Sequence, residues 1–81
     1  MTVKDASRIV TAHRPNKTII ECLEFPTFYA FAMVDKGREN ELFLGGYYTV
    51  DKADGTIDGF SPADDWGALS TAKPIDLAEL L

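Results

Sequence analysis

From Phe28 to Val34 the chain runs Phe-Tyr-Ala-Phe-Ala-Met-Val without a charged side chain. Seven residues fall far short of the ~20 that carry a helix across a bilayer. The aromatic and branched content favours a strand. Alternate residues of a strand face opposite sides, which puts Phe28, Ala30, Ala32 and Val34 on one face and Tyr29, Phe31 and Met33 on the other. A strand apolar on both faces belongs inside a sheet that is covered twice. That requirement falls on only 81 residues, enough for one small domain over residues 1–81 with a thin core and modest stability.

The flanking segments supply the cover. Thr2 followed by Asp5 has the form of a helix start, with a hydroxyl to cap free amides and a carboxylate at the positive end of the helix dipole. Val3, Ala6, Ile9, Val10 and His13 then recur at helical spacing. Pro15 disfavours helical geometry at Arg14, so the helix is expected to stop near His13. Lys17 to Phe25 is rich in strand formers, and Pro26-Thr27 joins it to Phe28–Val34 as an antiparallel hairpin. In this first strand, simple alternation sets Ile20 and Cys22 apart from Ile19, Leu23 and Phe25. A charged loop, 35–41, precedes a third strand over Leu42–Asp51, where Gly45-Gly46 suggests a bulge. Lys52 to Gly55 is a turn, and Thr56 to Phe60 a short fourth strand. Ser61-Pro62 has the form of a second helix start, with Trp66, Leu69 and Ala72 at spacing three. Pro74 ends it, leaving Ile75, Leu77, Leu80 and Leu81 as an apolar tail. The expected fold is α+β: an N-terminal helix packed on a four-stranded antiparallel meander, then a short C-terminal helical segment.

Charge and cysteine narrow the setting. Residues 1–40 hold six basic and five acidic side chains, whereas residues 41–81 hold two and eight. The acidic half repels a phosphate backbone, so a nucleic-acid partner is not expected. A single cysteine, Cys22, cannot form an internal bridge and fits a reducing compartment. The first residues carry no apolar signal core. The expected location is the cytoplasm of a bacterial host, without a membrane partner.

Two resemblances are carried by defined residues. Gly45-Gly46-Tyr47-Tyr48-Thr49-Val50-Asp51-Lys52-Ala53-Asp54-Gly55-Thr56-Ile57 resembles a hairpin of PepSY-like domains and of small bacterial immunity-type domains. Over about residues 3–80 the chain is similar to a group of short uncharacterised phage and prophage proteins. The similarity lies in Ile20-Glu21-Cys22-Leu23-Glu24-Phe25-Pro26-Thr27-Phe28-Tyr29-Ala30-Phe31, in the Thr49-to-Gly55 turn and in Phe60-Ser61-Pro62. The resemblance implies a helix with an antiparallel sheet and brings no catalytic residues.

Catalytic and cofactor chemistry find no support in the residue types. Cys22 sits mid-strand, where a thiol behaves as a small hydrophobe. His13 is favoured at a helix C-terminus by the dipole. With Gly55 as the sixth position of a calcium loop, the first and third would be Val50 and Lys52, which are not ligands. One cysteine and one histidine cannot supply a structural zinc site. Gly45-Gly46 lacks the following Lys-Ser/Thr of a phosphate loop. Asp64-Asp65 follows Ser61-Pro62 closely enough to be explained by a helix dipole. No enzyme and no cofactor are expected.

The aromatics are the remaining signal. Tyr47 and Tyr48 are consecutive, so each faces a different side of the sheet. Trp66 follows Asp64 and Asp65 just beyond the last strand. Core packing accounts for such residues, and so does a partner surface, where Tyr and Trp concentrate binding energy. Tyr47, Tyr48, Asp64, Asp65 and Trp66 are the candidate contacts. The expected role is a non-enzymatic phage- or prophage-type module that binds a foreign protein or pairs with a second copy through a sheet face. The alternative is an acidic decoy that imitates nucleic acid and occupies a DNA-binding protein.

Overall fold

The computed structural model describes residues 1–38, 46–60 and 71–80. Helix α1 spans Val3–His13 and is followed by strands β1 (Lys17–Glu24), β2 (Phe28–Asp35), β3 (Tyr47–Asp51), β4 (Ile57–Phe60) and β5 (Lys73–Ile75); a 3-10 turn, Leu77–Leu80, follows β5. The five strands form one antiparallel sheet in the order β4-β3-β2-β1-β5. The α+β class and the four-strand meander are as expected from the sequence, and a fifth strand is added at the β1 edge.

The helix begins as its residues dictate. Asp5 N–H donates to Thr2 Oγ1 at 3.2 Å, and Thr2 N–H donates to Asp5 Oδ2 at 3.3 Å, closing a capping box. It ends at His13, before Pro15. Pro26-Thr27 makes a two-residue turn: Phe25 N–H donates to Phe28 O at 2.9 Å, and the two rings stack at 4.5 Å.

Three expectations need correction or fall elsewhere. Pro74, read as a terminator, lies inside β5. The Phe25–Phe28 bond points the backbones of Phe25 and then Leu23 towards β2, so Cys22 and Glu24 face β5. Pro74 stands opposite Leu23, so its nitrogen points away from β1, where no donor is needed. Strict alternation in β1 also fails: the register with β2 shifts between Ile19 and Glu21, and the extra residue Ile20 brings Ile19 to the same side as Cys22. Residues 42–45 of the expected third strand, with the Gly45 half of the proposed bulge, lie outside the described residues, as does the helix proposed from Ser61 except for Thr71 and Ala72, which are not helical. The helical turn that is seen comes later, at Leu77–Leu80.

Both faces of the sheet are buried, as the two-sided pattern of β2 requires. Under α1, Cys22, Tyr29, Phe31, Met33 and Val50 pack with Ala6 and Val10, and Leu80 of the 3-10 turn joins the same cluster. On the opposite face Leu23, Phe25 and Ala30 form a second cluster with Phe28, Tyr47 and Ala72 against it. Ile75 of β5 packs against the same helix-side cluster. Leu23, Phe25, Ala30 and Ala32 of the opposite face are all buried. The large hydrophobics exposed among the described residues are Met1 and Leu77.

Candidate functional site

Val50, on the helix side, fixes the parity of β3: Tyr48 shares its face and Tyr47 takes the other. Each tyrosine is half-buried, and each hydroxyl has a partner. Tyr47 Oη donates to Glu21 Oε2 at 3.0 Å. Burial, then this bond and the negative charge of Glu21, push the phenol up to about 12. On the other face Arg14 Nε donates to Tyr48 Oη at 3.3 Å, and its guanidinium carbon lies 5.6 Å from the ring centroid. The His13 ring meets the same tyrosine edge-on, with centroids 6.5 Å apart and planes at 68°. The end of α1 thus places one cation and one titratable ring around Tyr48. Beside it in β4 stands Gly59, paired with Tyr48 and without a side chain. A Cβ built there would meet nothing within 4 Å.

The other candidates divide. Asp64, Asp65 and Trp66 lie outside the described residues. The hairpin aspartates serve local structure: Asp51 Oδ1 accepts Ala53 N–H at 2.7 Å, Asp54 Oδ1 accepts Thr56 N–H at 2.9 Å and Asp58 Oδ1 accepts Gly59 N–H at 2.8 Å. The amide of Thr56 holds the Asp54 carboxyl below its ordinary value. Cys22 is 1% exposed, and burial, with Glu24, Glu79 and Glu21 adding to it, pushes its thiol up to about 12. A thiol so disposed is a packing group. His13 is engaged with Tyr48. Among the described residues no three His, Cys, Asp or Glu side chains gather to hold a metal, and no helix is long and apolar enough to cross a membrane.

A second cluster has no counterpart in the sequence reading. Lys52 Nζ donates to Glu24 Oε2 at 2.8 Å and sits 4.8 Å from the Tyr29 ring centroid. Lys73 stands opposite Glu24 in β5. The Lys52 bond, with both lysine charges helping, lowers the Glu24 carboxyl below its ordinary value. Lys52 follows Asp51 in an Asp-Lys-x-x-Gly turn, and nothing local announces a partner 28 residues away. The alternation of β3 does carry a faint signal, because it assigns Lys52 to the face of Tyr48 and Val50.

The chain matches no protein-family model, no curated protein and no solved structure.

Proposed function

We propose that this chain is a non-enzymatic, phage- or prophage-type protein-binding module acting in the bacterial cytoplasm, and that its partner seats on the corner formed by Tyr48, Arg14 and Gly59. The observation that carries the reading is the fixing of the Tyr48 ring by Arg14 and His13 beside a strand position that offers open space. Tyr and Arg dominate binding energy where they are held rigid and a partner can exclude water around them. The Arg14 contact lowers the entropy cost of using the ring. Gly59 leaves room for a partner's side chain against it.

The test is affinity capture from lysate of the host with the tagged wild type, Arg14→Ala and Gly59→Val, followed by calorimetry on the protein captured. Valine suits a strand, and a Cβ at position 59 meets nothing within 4 Å, so Gly59→Val is expected to keep the fold while filling the space. Both variants are expected to weaken binding at least tenfold at unchanged melting temperature. Equal binding by all three proteins removes the assignment of the corner. Binding that collapses as salt rises from low to physiological strength points instead to the charge-mimicking decoy.

A further inference from the structure

A cavity of about 290 Å³ opens at the end of the sheet, lined by Glu24, Phe25, Pro26, Lys52, Thr71 and Lys73. We propose that it is a binding site for a single carboxylate group. The inference does not rest on the Tyr48 corner.

Charge is the first argument. Among the described residues two ammonium groups line this cavity against one carboxylate, a local excess of one positive charge in a chain of net charge −5. One more carboxylate balances it. A dianion such as phosphate would overshoot that balance by one negative charge beside Glu24.

Preorganisation is the second. Lys52 is held by Glu24 at 2.8 Å and by the Tyr29 ring, and its side chain is only 26% exposed. An ammonium has three donors, and Glu24 takes one. A ligand carboxylate therefore finds Lys52 already positioned, without the entropy cost of ordering a long side chain. The ammonium of Lys73, opposite Glu24, makes no hydrogen bond or ion pair with the described residues. A charge-assisted bond from it to an incoming carboxylate displaces only water.

Size and wall chemistry are the third. Ligand pockets begin near 300 Å³, so this one suits a small acid or one acidic side chain. Phe25 and Pro26 give it an apolar wall for the body that carries the carboxylate. Two sources share that chemistry: a free small organic acid, and a glutamate side chain in a peptide.

The test uses the full chain labelled with 15N. Amide shifts are followed during titration with sodium benzoate and with a capped Ala-Glu-Ala peptide. Benzamide, the capped Ala-Gln-Ala peptide and sodium chloride at matched ionic strength are the controls. Saturable shifts centred on residues 24–26, 52 and 71–73 are expected for an acid and absent for its amide. Benzoate binding more tightly than the peptide identifies a free acid, and the reverse order identifies an acidic peptide. Lys73→Gln, at an exposed position, is expected to weaken binding about tenfold. Glu24→Gln removes the competing charge and is expected to tighten it about tenfold, the opposite of what a merely structural ion pair predicts. Shifts that are linear in concentration, or matched by chloride, or unchanged in Lys73→Gln, or weakened in Glu24→Gln, each overturn the proposal.

Discussion

Among the described residues two glycines take positive φ, Gly37 at 92° and Gly55 at 75°, and they provide a controlled comparison. A side chain at either one carries the left-handed penalty of about 1–2 kcal/mol for an L-residue. Replacing glycine by alanine also removes unfolded-state freedom, which returns about 0.4–1 kcal/mol. Gly37→Ala, where a Cβ meets nothing within 4 Å, is therefore expected to cost about 1 kcal/mol net. At Gly55 the new Cβ would stand 3.2 Å from Ile9 Cδ1 and 3.4 Å from Met1 Cε, so the β3–β4 turn would press on α1. Ordinary carbon contacts lie at about 3.5–4.0 Å, so the Ile9 tip must move, at about 0.5–1.5 kcal/mol for a displaced rotamer. Gly55→Ala is expected to cost about 2 kcal/mol in total, or about 8–16 °C in melting temperature for a domain of this size. Urea unfolding followed by far-ultraviolet circular dichroism reads both variants. Ile9→Val deletes Cδ1, so the double variant should recover about 0.5–1 kcal/mol relative to additivity. If Gly55→Ala costs no more than Gly37→Ala, or if Ile9→Val gives no relief, the turn does not rest on the helix as described.

Three further outcomes are expected. Cys22, buried with its thiol pushed up to about 12, should react with a thiol reagent only at the rate of unfolding; prompt stoichiometric labelling in native buffer contradicts this. Asp5, Glu24 and Asp54 have lowered pKa values when folded, so the folded state binds fewer protons than the unfolded one. Their contribution is complete above the ordinary carboxylate range, about 4, and is lost as pH falls through the folded values. Melting temperature should therefore drop more steeply below about pH 4 in the wild type than in Asp54→Asn, and parallel curves refute the reasoning. Tyr47→Phe removes the donor to Glu21 and should cost about 0.5–1.5 kcal/mol, while the ultraviolet titration of tyrosine loses a component near pH 12.

Local physics was legible in the sequence, and long-range register was not. Thr2, Asp5 and Pro15 mark the helix because capping and proline geometry act within four residues. Pro26-Thr27 marks the hairpin for the same reason. The bulge at Ile20 is a choice made against β2, and no pattern within β1 encodes it. Pro74 misleads because its missing donor rules out a central position but not an edge one. At the candidate corner, consecutive Tyr47 and Tyr48 could be assigned to opposite faces by parity alone. The Arg14 contact with Tyr48 crosses 34 residues and required the fold. Glu24 and Lys52 escaped for a related reason: a strand-end glutamate and a turn lysine each look like ordinary solvated charges until the sheet sets them side by side.

The backbone of the sheet edges bears on how a partner can dock. Among the described residues β4 and β5 are the outer strands. In β5, Lys73 and Ile75 turn their backbones towards Glu24 and Cys22, and the one outward position is Pro74, which has no N–H. In β4 the pairing can be traced from two bonds. Lys52 N–H donates to Thr27 O on the β2 side, and Asp51 N–H donates to Thr56 O on the β4 side. Thr49 and Tyr47 therefore face Asp58 and Phe60, and Ile57 and Gly59 turn outward. The outward Gly59 N–H already donates to Asp58 Oδ1 at 2.8 Å. An added strand at β5 finds no donor at Pro74, and one at β4 meets the Ile57 N–H but must displace the Asp58 carboxylate from the Gly59 N–H, a carboxylate that also repels an acidic newcomer. Both edges thus resist strand addition. Since the second sheet face buries Leu23, Phe25, Ala30 and Ala32, pairing of copies through that face has little exposed apolar surface among the described residues to draw on. Side-chain contact at the Tyr48 corner asks the sheet for neither a free edge nor an open face, and Gly59→Val separates the two modes: it blocks the corner and leaves the β4 backbone able to pair.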